Sequence, residues 1–247
     1  ARPAVAAGEF AEQKRRLLEA VAATRRSGRG GGDAGAVFDA AQALEDAAAA
    51  AGVAANGALA DGDWTLVFSE QEPPGGGLVR LAGGSDDSII DRLTAQVYRF
   101  FFRFAPALAG AQGGGAAEGG RAPAWWGSVR NEQTVDLRRG SVRNVVEVSP
   151  PAAPPAPPAP WRLRITVEGE ATPEEAGGDA TRLRIVFTRF GAGVVGDTPP
   201  WLPRLPDVPL PRPTGRLVTA FVDDDLRVSR GGRGGLFVLR RRRPAQG

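Results

Sequence analysis

The apolar residues of this chain change from helical to strand period over residues 61–68, and that change constrains the fold more than any other feature. Before it, Phe10, Leu17, Leu18, Val21 and Ala22 recur at the spacing of one helical face, with Lys14, Arg15, Arg16, Arg25 and Arg26 mostly elsewhere. The spacing predicts an amphipathic helix over residues 9–27, ended by the glycines of 28–32. A second helix is expected from Asp33, a good N-cap, with Val37, Phe38, Ala41, Leu44 and Ala48 on one stripe and Gly52 as its stop. Residues 1–56 therefore read as a helical hairpin.

From Asp61-Gly62-Asp63-Trp64-Thr65-Leu66-Val67-Phe68 onward the period is two, which places Trp64, Leu66 and Phe68 on one face of a strand that follows a tight turn. The same alternation returns at Gln133, Val135, Leu137; at Val142, Asn144, Val146, Val148; and at Trp161, Leu163, Ile165, Val167. It recurs at Leu183, Ile185, Phe187; at Leu217, Thr219, Phe221; at Leu226, Val228; and at Leu236, Val238. With a short strand at residues 78–81, this predicts about eight or nine short strands. Their turn-rich spacing fits an antiparallel barrel or sandwich better than parallel βαβ units. Arg138-Arg139-Gly140 reads as a hairpin turn between two of them.

One helix is expected to interrupt the β region over residues 88–108. Ser88 and Asp91 resemble a capping box, and Phe100, Phe101 and Phe104 lie on an unusually aromatic face. That face either packs on the sheet as a lid or plug, or contacts an apolar ligand, a lipid surface or a partner. Residues 110–124 are rich in Gly and Ala, residues 150–160 form a polyproline spacer between two strands, and residues 199–213 form an extended proline-rich connection.

Composition removes most chemistry. The 247 residues suit one large domain with appendages, and 42% hydrophobic against 24% charged residues is enough to fill a core, although 34 Gly and 21 Pro imply long loops. With no His and no Cys, the chain supplies no Ser-His-Asp triad, Cys-His pair, zinc finger, haem ligand or disulfide. It also lacks Met, so the chain is expected to have lost an N-terminal segment. The net charge is only +3 and Lys14 is the single lysine, so nucleic acid is not an expected partner. No apolar run approaches the ~20 residues of a membrane-spanning helix.

The remaining chemical candidates are weak. Asp223-Asp224-Asp225 is the densest acidic cluster, but neighbouring strand residues point to opposite faces, so it is expected to form a turn and bond nearby amides or Arg227 and Arg230. The glycine-rich stretch from Gly231 to Gly235 lies between two strands and opens no helix, so it reads as a hairpin turn and not a phosphate loop. Residues 240–243 form a basic run at the end of the last strand, with 241–247 read as a basic tail. No catalytic residue, metal site or cofactor is expected.

Gly62-Asp63-Trp64 resembles the lipocalin G-x-W, in which the Trp closes one barrel end and a late-strand Arg packs on it. The motifs taken in order resemble the plastid lipid-associated protein (fibrillin) family. Leu17-Leu18-Glu19-Ala20-Val21 with Thr24-Arg25-Arg26 is similar to that family's opening, and the strand from Asp61 to Ser69 is similar to its G-x-W-x-L strand. Gln133-Thr134-Val135-Asp136 and Asn144-Val145-Val146 are similar to its central hairpin. The most specific stretch is Phe221-Val222-Asp223-Asp224-Asp225-Leu226-Arg227-Val228-Ser229-Arg230-Gly231, followed by Leu236-Phe237-Val238-Leu239. It departs from the family pattern at Phe221, where Tyr is usual.

The resemblance implies a lipocalin-like barrel over residues 57–240. It also implies a chloroplast protein with a cleaved transit peptide, located on the stromal side of the plastid and associated with thylakoids or plastoglobules. The implied function is non-enzymatic: binding or organising prenylquinones, carotenoids or fatty acids, with peripheral membrane attachment at most. The alternative is a structural or assembly protein with a solid barrel that binds a thylakoid protein. A third reading, an enzyme or enzyme-regulating subunit acting on a lipophilic substrate, lacks an evident acid/base pair.

Trp64 is expected at the closed end beside Gly62, with Arg227 or Arg230 near it, Asp223 fixing the preceding turn and Gly231 in the family motif. A ligand would meet the period-two face of Leu66, Phe68, Val135, Val146, Leu163, Ile165, Ile185, Phe187, Thr219 and Phe221.

Overall fold

The computed structural model describes residues 10–26, 34–53, 55, 57–70, 129–149, 161–174, 181–197, 207–210, 212, 214–231 and 235–242. The aromatic helix expected over 88–108, with Phe100, Phe101 and Phe104, lies outside them. So do the strand at 78–81, the 110–124 and 150–160 segments, most of 199–213, and residues 243–247.

The two expected helices form as α1 (Ala11–Arg26) and α2 (Ala34–Ala50). Leu17 and Val21 of α1, preceded by Phe10, and Val37, Ala41, Leu44 and Ala48 of α2 are the buried stripes. Gly52 ends α2 as expected, with φ of 67°. Its N–H donates to the Ala49 carbonyl at 3.0 Å, and the Val53 N–H donates to Ala48 at 2.9 Å, the Schellman pattern that satisfies the last carbonyls of a helix. On the exposed side of α1, Glu12 bonds both Arg15 and Arg16, which holds its carboxyl down at about 2.

A single turn of 3-10 helix (Gly57–Ala60) leads into the strands. These are β1 (Gly62–Glu70), β2 (Val129–Asp136), β3 (Ser141–Val148), β4 (Trp161–Pro173), β5 (Arg182–Gly196), β6 (Val208–Pro209), β7 (Thr214–Val222), β8 (Leu226–Gly231) and β9 (Leu236–Arg241). They form one nine-stranded antiparallel sheet in the order β4-β3-β2-β1-β9-β8-β7-β5-β6, with β4 also paired to β5. Starting at β1, the pairings lead through β2, β3, β4, β5, β7, β8 and β9 back to β1, while β6 adds two residues to β5. β6 falls inside the proline-rich connection that the sequence reads as strandless.

The sheet has two unlike faces. Over β7, β8, β9 and β1, one face is covered by the helical hairpin: Phe68, Phe221, Leu226, Val228, Leu236 and Val238 share a cluster with the helix stripes. Over β3 and β4 the same face carries ion pairs instead, including Glu147 with Arg164 at 2.5 Å and Arg143 with Glu168 at 3.6 Å. The opposite face carries Trp64, Val135, Val142, Val146, Ile165, Ile185 and Leu217. No helix among the described residues is long and apolar enough to cross a membrane.

Candidate functional site

The Trp64 face is set by three bulges that the alternation in the sequence does not show. In an antiparallel ladder, paired residues lie on the same face and neighbours along a strand on opposite faces. Leu66 pairs with Leu239, but Phe68 pairs with Val238, so the register shifts at Val67 and Phe68 turns to the helix side. Thr219 pairs with Ser229 and Phe221 with Val228, so Phe221 is turned in the same way. Of the ten residues expected on one face, Leu66, Val135, Val146, Leu163, Ile165, Ile185, Phe187 and Thr219 remain there. Phe68 and Phe221 do not, because one extra residue in each strand inverts all that follow it. Phe221 instead meets the Phe10 ring edge-on at 5.8 Å.

The third bulge, in β5, retains side chains for the Trp64 face. Val167 pairs with Phe190 and Gly169 with Phe187, which brings both phenylalanines to that face. The apolar side chains there fall into separate groups. Val135, Val142, Ala171, Leu183, Ile185 and Leu217 form one, and Val146, Val148 and Ile165 form another that shares no member with it. Leu66, Leu163, Phe187, Phe190 and Ala192 are half-buried.

Trp64 organises the end of the sheet at which β1 starts and β7 turns into β8. It is fully buried, and its indole N–H donates to the Ala60 carbonyl at 2.9 Å. The Arg227 guanidinium lies 4.8 Å from the ring centroid and that of Arg241 lies 4.2 Å from it, so two cations contact one aromatic ring. Arg241 donates to the carbonyls of Leu59 (2.6 Å), Asp61 (2.9 Å) and Asp224 (3.0 Å). Gly62 makes room for it: φ is 115°, and a Cβ there would stand 2.9 Å from an Arg241 nitrogen.

Arg227 is fully buried at this end. It donates to the Ala60 carbonyl at 3.3 Å and to the Gln133 side-chain carbonyl, and Gln133 in turn donates to Asn144 at 2.8 Å. All these partners are neutral. Burial first, and the Arg241 charge second, press its guanidinium down to about 9, which still leaves it a cation at neutral pH. Among the described residues, two polar atoms on this face are buried without a hydrogen-bond partner: the Arg227 Nε and the Ser229 Oγ.

The sequence left open whether Arg227 or Arg230 packs on Trp64; the structure selects Arg227. Three residues along a strand reverse the face, so Arg230 points to the helices. There it bonds Glu45 at 3.0 Å and lies 5.7 Å from the Phe38 ring. Asp223 does fix its turn: one oxygen accepts the N–H groups of Asp225 and Leu226, both at 2.8 Å. Its other oxygen takes Lys14 at 2.6 Å, a partner the sequence did not name in place of Arg227 and Arg230. Gly231 lies against Phe237, where a Cβ would stand 3.1 Å from the ring. Arg241, counted with the basic tail in the sequence, is the last residue of β9 and the group that sequence reasoning missed.

The PAP_fibrillin family model matches residues 194–240, a stretch that contains β7, β8 and nearly all of β9. The resemblance read from the sequence is borne out there, in the segment supplying Asp223, Arg227, Ser229 and Arg230. No curated protein and no solved structure matches the chain.

Proposed function

We propose, from the premise that residues 194–240 are PAP_fibrillin sequence, that this chain is a non-enzymatic plastid lipid-associated protein. Its sheet is a lipocalin-like barrel that holds a lipophilic molecule of the prenylquinone, carotenoid or fatty acid class. The protein works at a thylakoid or plastoglobule surface.

The observation that carries the reading is the Trp64 face: strands paired in a returning circuit, with half-buried Leu66, Leu163, Phe187, Phe190 and Ala192 on the side away from the helices. An interior of about eight strands is wide enough to be filled by side chains or to hold one small ligand. Among the described residues, the buried group around Val146 and Ile165 is separate from the one around Val135 and Leu217. A ligand bridging them would gain about 25 cal/mol for each Å² of apolar surface buried, before ordering costs. The helical hairpin, on the other face, buttresses β7, β8, β9 and β1.

The test is to purify the chain from its native membrane fraction without detergent exchange and identify bound molecules by mass spectrometry. A stoichiometric prenyl lipid, carotenoid or fatty acid is expected. An empty protein that binds neither prenylquinones nor anionic vesicles would overturn the reading in favour of a solid scaffold.

A further inference from the structure

The side of the sheet turned away from Trp64 falls into three sectors. The hairpin covers β8, β9, β1 and the Phe221 end of β7. Over β2, β3 and β4, carboxylates meet arginines: Glu132 with Arg242, Glu168 with Arg143 and Glu147 with Arg164. The third sector is made by the first half of β5 and the first half of β7. There Arg182 pairs with Val218, Arg184 with Arg216 and Val186 with Thr214, so three arginines, two valines and a threonine share one face. The arginines are exposed, the valines are half-buried, and none of the six belongs to the cluster under the hairpin. Arg184 and Arg216 stand directly opposite one another, a like-charge pairing that is unfavourable in a sheet and that an anion between them relieves. The two carboxylates nearby are already spent: Glu174 bonds Arg216 at 3.2 Å and Glu170 bonds Arg212 at 2.8 Å. Among the described residues, the guanidinium groups of Arg182 and Arg184 have no carboxylate partner. In a chain whose net charge is only +3, two such arginines on adjacent positions of one face are a concentrated surplus.

We propose that this strip is the surface by which the protein lies on an anionic bilayer, with Arg182, Arg184 and Arg216 on lipid phosphate groups and Val186 and Val218 between them. The inference rests on the membrane-surface part of the function proposed above and gives it a face. The β5–β7 wall turns to the lipid and the hairpin does not, because the apolar stripes of α1 and α2 are already buried against the sheet. Each guanidinium fork matches the oxygens of a phosphate, and each arginine near an anionic surface adds to the attraction. A peptide partner suits the strip less well. Over Leu183 to Val186, β5 is bonded on both edges, to β4 and to β7, so it has no free edge on which a strand could add. A plane of phosphate groups needs only the arginine tips.

The experiment is co-sedimentation of the full chain with vesicles of phosphatidylcholine and with vesicles of phosphatidylglycerol at low salt. Binding is expected to phosphatidylglycerol only, and it should weaken as salt is raised. Arg182→Gln combined with Arg184→Gln should lower that affinity about fivefold for each arginine and about thirtyfold together. Both side chains are exposed, so the circular dichroism and thermal unfolding of the variant should match those of the parent chain. Arg15→Gln combined with Arg16→Gln makes the same charge change on the exposed side of α1 and should leave the affinity nearly unchanged. A variant at Arg182 and Arg184 that binds like the parent overturns the strip and leaves the membrane-surface reading standing. An equal loss in the α1 variant overturns it as well, since net charge and not location would then set the binding. Failure of the parent chain to bind phosphatidylglycerol overturns the strip and the surface location together, while mass spectrometry of bound molecules still decides the carrier reading. Tighter binding to polyglutamate than to phosphatidylglycerol, compared per negative charge, overturns the lipid assignment in favour of an acidic protein.

Discussion

Phe221→Ala tests whether the bulge at Ala220 turns this ring to the helices. The side chain is 1% exposed, and truncating a buried phenylalanine costs about 3–5 kcal/mol. The edge-on contact with Phe10, at an interplanar angle of 89°, accounts for about 0.5–1.5 kcal/mol of that. Urea unfolding followed by tryptophan fluorescence should therefore show a loss of about 4 kcal/mol, which at a slope of about 2 kcal/mol/M lowers the midpoint by about 2 M. Combining it with Phe10→Ala should give a coupling of about 0.5–1.5 kcal/mol, because the two rings lose a shared contact only once. Lipophile affinity, measured where both proteins are folded, should not change, whereas Phe187→Ala on the other face should lower it. A loss below about 1 kcal/mol with additive single effects would refute the face assignment. So would a fall in lipophile affinity in Phe221→Ala that matches Phe187→Ala.

Gly169→Ala should destabilise by at least about 1–3 kcal/mol, because its Cβ would stand 2.7 Å from the Val186 backbone oxygen at the β5 bulge. Gly191→Ala should cost far less, since the atom it meets is the movable tip of exposed Asp207; thermal unfolding of the pair checks the contrast. Asp223→Ala should lose about 2–3 kcal/mol by removing two capped amides and the Lys14 partner, and Asp223→Asn should retain roughly half of that, measured by urea unfolding. Burial holds the Arg227 guanidinium down at about 9, so the unfolded chain binds more protons than the folded one between that pH and the ordinary arginine range. This group's contribution to stability therefore rises with pH across that window.

Periodicity made most of the fold legible. The stripes of α1 and α2, the Gly52 stop, the Arg138-Arg139-Gly140 turn and eight of the observed strands all follow from apolar spacing or turn chemistry. What alternation cannot reveal is a residue inserted in one strand only, because the insertion is defined by the partner's register. Phe68 and Phe221 look continuous with Leu66 and Thr219 until Val238 and Val228 are seen opposite them. The choice between Arg227 and Arg230 was available, since an odd spacing on a strand means opposite faces. Arg241 was hidden for another reason: in a run of arginines at a strand end nothing local marks the one that turns inward, and only Gly62, 179 positions earlier, records the space it needs. Lys14 as the partner of Asp223 was equally remote, with 209 positions between them.

Those separations bear on how the chain reaches its folded state. The hairpin of α1 and α2 is made early in synthesis, yet the surface that covers its apolar stripe comes from β7, β8 and β9, and β1 finds one of its two partners only in β9. Until residues 221–239 leave the ribosome, Leu17, Val21, Val37 and Leu44 have, beyond each other, only Phe68 among the buried sheet residues of this cluster to pack on. Closure over so long a loop makes the final docking slow and leaves a sticky intermediate for chaperones to hold. The stretch matched by the family model is thus also the one whose arrival commits the whole molecule.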